Sequence, residues 1–331
     1  MRLSVTVLML CLLIFSNAKG ETLDEVYAKA LKEGGSLTFY STLAQVNAPI
    51  ILPLFEKRFP GIKVDLVDAT ADQLGARAVA EARGGRTVAD AFQTQLETVV
   101  QLNQQGLLLS RVPPEAAAYP NDLKGPYWVA SDLLFIVSAW NTNLVGKQDE
   151  PAQFEEMADP KWKNKLAAEP RDFVLLLGLA KKKYKSDEKA IDLFKKIALN
   201  NVEFHKGHSQ LAELLVAGQA AVCFTCFSHH FPPRIKKGAP LGYSLAEGVS
   251  QTQATAVFKN APHPNTAWLW ARWVASEEGQ KAYAAGGLTP ARPLVEPLEK
   301  TRPQNIYTLT AANQKEFSKY EKIWKEIFRL R

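Results

Sequence analysis

Cysteine is nearly absent from this sequence: three occur among 331 residues, and one of them, Cys11, lies in an apolar run near the start. So few exclude a disulfide-stapled scaffold, and the fold must rest on a hydrophobic core. The apolar run Val5–Phe15 is too short to span a bilayer, and no membrane segment follows it. A strong excess of one charge is lacking too. The formal net charge is +6, and Lys181-Lys182-Lys183 and Lys236-Lys237 read as solvated faces rather than a nucleic-acid surface. There is no G-x-S-x-G elbow, no H-E-x-x-H and no nucleophile–base–orienter set, which argues against an exported enzyme. Internal repeats and low-complexity segments are also missing.

What is present begins with a leader. Arg2 precedes the apolar run Val5–Phe15, and Ser16-Asn17-Ala18 places small residues where a signal peptidase reads. Residues 1–18 are expected to be a signal peptide that sends the mature chain to the periplasm. Leu10 before Cys11 argues against lipidation. Arg2 is the only charge in residues 1–18, so removing them takes just one from the net +6. The remaining length exceeds a single comfortable core, so two lobes are expected.

Apolar segments of strand length alternate with helical ones, the mark of an α/β chain. Strands are expected at Ser36–Tyr40, Ile62–Val67 and Val88–Phe92. Between and after them come helices: one carrying Ile51, Phe55 and Phe59, one opening at Thr70 with Gln73 in capping-box spacing, and one over Glu97–Gln105. That order predicts a parallel sheet with right-handed crossovers. Pro113, Pro114, Pro120 and Pro126 interrupt the pattern before the apolar strand Leu133–Trp140. A second α/β set runs from Pro151 to about Tyr243, with strands at Leu166–Ala168, Val202–Phe204 and Ala220–Thr225. A further strand is expected at Ala254–Phe258, then a helix from Pro264, one capped by Ser276, and a last one with Phe317, Tyr320, Trp324 and Phe328 on one stripe.

Five stretches, in order, resemble the family 1 extracellular solute-binding proteins, near the branch of periplasmic ferric-iron and aminoethylphosphonate binders. They are Leu37-Thr38-Phe39-Tyr40-Ser41-Thr42, Phe55-Glu56-Lys57-Arg58-Phe59-Pro60-Gly61, Trp140-Asn141-Thr142-Asn143, Asp159-Pro160-Lys161-Trp162-Lys163-Asn164-Lys165-Leu166, and Ala261-Pro262-His263-Pro264-Asn265 continuing to Ser276-Glu277-Glu278-Gly279-Gln280. The resemblance implies a two-lobed type II periplasmic-binding-protein fold with two hinge crossings, near residues 131–134 and 246–253. Residues 35–131 and 253–331 would form one lobe and residues 134–246 the other. It further implies a small-molecule solute held in the cleft and the permease of an ABC transporter as partner; no cofactor is expected, and the charge balance and lack of a large apolar stripe are compatible with a monomer. The adjacent tyrosines of the iron-binding branch have no counterpart near Ser228–His230. Its carboxylate is replaced by Gln73 and its early histidine has no counterpart near Leu43–Gln45. These departures argue against ferric iron held by that ligand set.

In open α/β sheets, ligands sit beyond the carboxyl ends of strands, where helix N-termini present unpaired N–H groups. That selects Ser41 and Thr42, then Thr70, then Gln93 and Thr94, each either a solute contact or a local cap or loop bond. Trp140 and Asn141 end the crossing strand, as pocket wall or core. Arg171 suits a carboxylate or phosphonate, and Asp172 beside it suits a helix N-cap. His208 and Ser209 begin another helix and could close the cleft. In Cys223-Phe224-Thr225-Cys226-Phe227-Ser228-His229-His230, two sulfurs and two imidazoles offer Cys223, Cys226, His229 and His230 to a transition metal or metal chelate. In a regular strand, however, residues three apart face opposite ways, so the cysteines could share a metal or a disulfide only across a turn. Buried hydrophobes are their alternative role, and His229 or His230 could instead donate to an anion. The leading expectation is a receptor for a small anionic organic solute.

Overall fold

The structure is a computed structural model that describes residues 21–43, 45–309 and 311–330. The signal peptide expected over residues 1–18 lies outside them.

The first part alternates as the periodicity predicts: α1 (Leu23–Lys32), β1 (Ser36–Ser41), α2 (Ala48–Arg58), β2 (Lys63–Asp68), α3 (Ala71–Arg83), β3 (Ala91–Gln95) and α4 (Leu96–Gln104). β1 runs parallel to both β2 and β3. α2 buries Ile51 and Phe55 under this sheet, and Phe59 caps it, also buried. Phe55 meets the rings of Trp270 and Trp273 at 4.9 and 5.1 Å. The capping box of Thr70 and Gln73 opens α3 as expected. β3 starts later than Val88 because Asp90 turns the corner before it. The Asp90 carboxylate accepts the Thr38 and His263 backbone N–H groups, both at 2.7 Å.

β4 (Lys124–Gly125) leads into β5 (Trp128–Asn141), which crosses the molecule. Then come β6 (Leu166–Ala168), α5 (Phe173–Gly178), α6 (Asp187–Ala198), β7 (Glu203–Phe204), α7 (His208–Val216), β8 (Val222–Phe227), α8 (Phe231–Lys236) and β9 (Leu241–Tyr243). β6 is parallel to β7 and β8. The chain recrosses in β10 (Glu247–Val257) and ends with α9 (Pro264–Ala275), α10 (Glu277–Ala285), β11 (Thr289–Pro290), β12 (Asn305–Thr308) and α11 (Phe317–Phe328). The main sheet path among the described residues is β2-β1-β3-β10-β5-β8-β6-β7. β10 is antiparallel to β3 and β5, and β5 to β8. Two parallel sets are therefore joined by one antiparallel pair of long strands. α5 lies so close to that pair that a Cβ on Gly178 would sit 2.6 Å from Val249 Cγ1.

Three local expectations are corrected. First, the strand expected to begin at Ala254 begins at Glu247, so β10 takes in nearly all of the expected crossing at 246–253 and is buried along its whole length. Ser250, Gln251, Thr252 and Gln253 hid it, since a strand buried on both faces shows no alternation. Second, the last helix does not accompany α9 and α10. Those two pack beside α1 and α2, whereas α11 packs on α5 and α6. β12 pairs parallel with the Glu247–Ser250 end of β10, and that delivers α11 to the other side. An apolar stripe shows that a helix is covered, not which surface covers it.

Third, Cys223 and Cys226 are joined by a disulfide, with Cα atoms 5.9 Å apart. In the β5–β8 ladder Val137 faces Cys226 and Ala139 faces Cys223, so β8 holds one residue more than its partner over this stretch. That bulge brings residues three apart to the same side. A loop this short constrains the unfolded chain only modestly. Replacing both cysteines by alanine is expected to cost about 2 kcal/mol, and reductant should then have no further effect on the melting temperature. A variant as stable as the parent would show that the bond contributes nothing to the fold.

Candidate functional site

A cavity of about 530 Å³ opens between the two parallel sets, at the carboxyl ends of their strands. Thr42 enters it after β1, Asp68 and Thr70 at and after the end of β2, and Gln93 and Gln95 from the end of β3. From the other side come Arg171 after β6, Phe227 at the end of β8, His229 beyond it, and the start of α7. Asp132 and Gln253 complete the wall from the middle of the crossing strands. The lining mixes carboxamides, among them Gln45, Gln73, Gln93, Gln95 and Gln253, with apolar side chains such as Leu43, Val46, Leu134, Phe227 and Leu288.

Of the residues singled out from sequence, Thr42, Thr70, Gln93, Arg171, His208, Ser209, His229 and His230 meet at this cavity. Ser41, Thr94, Trp140 and Asn141 do not line it. Ser41 is fully buried, and its Oγ accepts the Leu43 N–H at 2.9 Å, a turn bond. Thr94 lies between Gln93 and Gln95, so strand alternation turns it the opposite way. Trp140 and Asn141 sit at the far end. β5 is antiparallel to β8, so Trp140 pairs with Val222 at the start of β8, while the cavity lies beyond Phe227 at its end. The strand-end rule selects one direction only, and β5 runs against it. Trp140 packs in the core with Val145 and Trp162, and Asn141 donates to the Leu215 carbonyl at 2.7 Å.

The donor side of the cavity belongs to β6, α7 and α8. Arg171 donates through Nε to Glu169 Oε1 at 2.7 Å, pairs with it again through a terminal nitrogen, and lies 3.4 Å from Asp72 on α3. Arg234 on α8 donates to Glu213 at 2.7 Å and to the His230 carbonyl at 2.8 Å. α7 begins at Gly207, which has φ 98° and no side chain to cap the helix, so its first turn opens toward the cavity. His208 stacks on Phe227 at 3.7 Å and is held by Asp172 at 2.9 Å. Asp172 therefore orients an imidazole instead of capping α5, contrary to its sequence reading. Burial raises the Asp172 carboxyl above its ordinary value, and the His208 charge pulls the other way.

His229 is pushed down to about 3 by burial, helped by the charges of His208 and Arg234, and His230 is held well below its ordinary value for the same first reason. Both are neutral imidazoles at neutral pH, each able to donate one hydrogen bond and accept one. Bonded to each other, Cys223 and Cys226 have no thiolate to offer a metal, so only His229 and His230 remain of that proposed set. Among the described residues no group of three or more His, Cys, Asp or Glu is arranged to hold a metal ion.

Sequence reasoning missed Asp132, Gln253, Asn47 and Arg234. Arg234 lies just before the basic pair Lys236-Lys237, and Gln253 falls in the crossing expected at 246–253. Asp132 did carry a signal: it is a lone acid at the head of the apolar run Leu133–Trp140. Burial pushes its carboxyl up to about 7, against one hydrogen bond from Ser131.

Comparison with known proteins agrees with this arrangement. The crystal structure of the substrate-binding protein of an ABC transporter from Agrobacterium tumefaciens superposes with a TM-score of 0.77 at 17% identity, over 89% of this chain and 96% of that one. Iron-bound HitA from Pseudomonas aeruginosa gives 0.72 at 20% identity, over 88% and 99%. AfuA from Actinobacillus pleuropneumoniae, with fructose-6-phosphate bound, gives 0.71 at 19% identity, over 90% and 99%. These are similarities of fold, the type II periplasmic-binding-protein fold. Residues 54–305, most of the chain, match the family described as bacterial extracellular solute-binding protein, and the chain belongs to that family.

Proposed function

We propose that this protein is the solute-binding component of an ABC importer and captures a small anionic organic solute in the cavity between its two sheet halves. The observation that carries the anionic reading is the donor side: the open first turn of α7, Ser209, and the guanidinium groups of Arg171 and Arg234 on one wall. Helix N-termini and arginine forks suit carboxylate, phosphate or phosphonate oxygens. Fructose-6-phosphate in AfuA is one such anion in a related fold.

On this reading the chain is exported behind its signal peptide, works as a periplasmic monomer, and binds and releases its solute without chemistry. Residues 35–131 with 253 to about 300 form one lobe, and residues 134–246 with the last helix form the other. β5 and β10 are the hinges. Arg171 on one side and Asp72 on the other, now 3.4 Å apart, would meet on closure and part on opening. Solute-loaded protein then presents both lobes to the permease.

Native mass spectrometry of freshly expressed protein, with and without chelator, tests the reading. An organic anion retained in both conditions is expected, and Arg234→Met should weaken its binding roughly 10–100-fold, the worth of a hydrogen bond to a charged group. A mass lost to chelator would transfer the site to a metal chelate. An uncharged solute indifferent to Arg234→Met would overturn the anionic reading.

A further inference from the structure

Gln93 sits where the cavity wall meets the core. In the β3–β10 ladder Gln93 pairs with Thr255 and Gln95 with Gln253, so all four side chains share one side of the sheet. Gln93, Gln95 and Gln253 line the cavity, and Thr255 does not. Gln93 is only 1% exposed. Its Oε1 accepts two hydroxyls, from Thr255 at 3.0 Å and from Tyr283 on α10 at 2.5 Å. Both donors are buried, and Tyr283 also lies outside the lining. The Gln93 backbone carbonyl accepts the Thr42 N–H at 3.1 Å. Of the polar side-chain atoms of Gln93, the amide nitrogen is left without a partner among the described residues.

The two hydroxyls decide which way that amide faces. Neither has another acceptor among the described residues, so each hydrogen is matched only when Gln93 turns its oxygen toward them. Turned over, the amide would orphan two buried hydrogens, at the desolvation cost of both. Burial holds the Tyr283 phenol well above its ordinary value, so it remains a donor at neutral pH. We propose that Gln93 binds the solute as a donor only, and that Tyr283 is a positioning residue whose hydroxyl, with that of Thr255, fixes the amide so that its N–H groups are left for the solute. A freely turning glutamine offers either end to a ligand, whereas one held by its oxygen recognises acceptors alone. Fixing it beforehand also lowers the ordering cost of binding. β3 thus adds a neutral donor to the cationic side of the cavity. The solute must then carry an acceptor oxygen toward β3 as well as toward α7, and an apolar tail at that end is disfavoured. The inference rests on the cavity being the solute site for an anion.

The test uses the full mature protein and three probes with acceptor oxygens at both ends: succinate, 3-phosphoglycerate and fructose 6-phosphate. Each is titrated calorimetrically, and the tightest is carried through the variants. Gln93→Met should weaken it roughly 10–100-fold, the worth of a hydrogen bond to a charged group. Gln93→Glu keeps an oxygen for both hydroxyls, which protects the fold, and loses the N–H donors; it should weaken the probe at least as much. Tyr283→Phe should cost roughly threefold to tenfold on its own and less than about twofold in the Gln93→Met background. Equal losses from Tyr283→Phe in both backgrounds would make its role merely structural and overturn the positioning claim. Unchanged affinity in Gln93→Glu, with Arg234→Met still weakening the probe, would overturn this inference and leave the anion reading standing. Binding of none of the three probes would overturn both.

Discussion

Asp132→Asn is expected to stabilise the solute-free protein by roughly 2–4 kcal/mol at pH 8 and by almost nothing near pH 4. The sign follows from the direction of the shift. Burial raises the folded-state carboxyl to about 7, above the unfolded value of about 3.9. The folded protein therefore binds this proton more tightly than the unfolded chain, and the wild type loses stability as pH rises between those two values. Above the folded value the cost is fully present, and below the unfolded value both states are protonated and it vanishes. An amide removes the ionisation and with it the pH-dependent cost. Urea unfolding of the two proteins at pH 8 and pH 4 measures the difference directly. Equal stabilities at both pH values would mean that the Asp132 carboxylate is solvated in the open cavity and carries no strain of this kind.

The expected gain is informative because it comes with a loss. Asp132 lines the cavity, so the same substitution should also weaken solute binding: a residue that destabilises the empty protein is retained where it can meet a solute. Proteins commonly tolerate unfavourable groups at functional sites, and the effect is largest for buried charge. Opposite changes in stability and affinity from one substitution would separate a binding residue from a structural one.

Trp324→Ala is expected to cost about 3–5 kcal/mol, the usual range for a large aromatic removed from a core. Trp324 is 0% exposed on α11, packs with Phe194 at 5.3 Å and Phe328 at 4.6 Å, and donates Nε1–H to the Pro170 carbonyl at 2.9 Å. Pro170 immediately precedes Arg171, so the last helix steadies the turn that aims a cavity guanidinium. Solute affinity should fall along with stability. Trp324→Phe keeps most of the apolar contact and loses the hydrogen bond, and should cost about 1 kcal/mol. Chemical denaturation gives the stability of both variants and calorimetry the affinity. A loss under about 1 kcal/mol for the alanine variant would mean that α11 is only loosely docked.

Much of this protein is legible in its amino-acid sequence. The alternation of strand and helix, the capping box at Thr70 and Gln73, and the strand-end rule all depend on neighbours close in sequence. Each describes a local preference that the tertiary structure had no reason to override. Thr42, Thr70, Gln93, Arg171, Ser209 and His229 are found that way, because they follow strands or open helices that point into the cleft.

The remainder depends on pairings that sequence does not encode locally. Trp140 and Asn141 are misplaced by the strand-end rule because only the antiparallel ladder with β8 shows which way β5 runs. Cys223 and Cys226 meet because a bulge in β8 breaks strand alternation, and Asp132 enters the cavity beside another bulge in β5. α11 needed a surface for its apolar stripe, and the pairing of β12 with β10 selected which one. Periodicity sets which face of an element is buried. Strand direction, register and bulges decide what that face meets, because they are settled by hydrogen bonds between residues far apart in the chain.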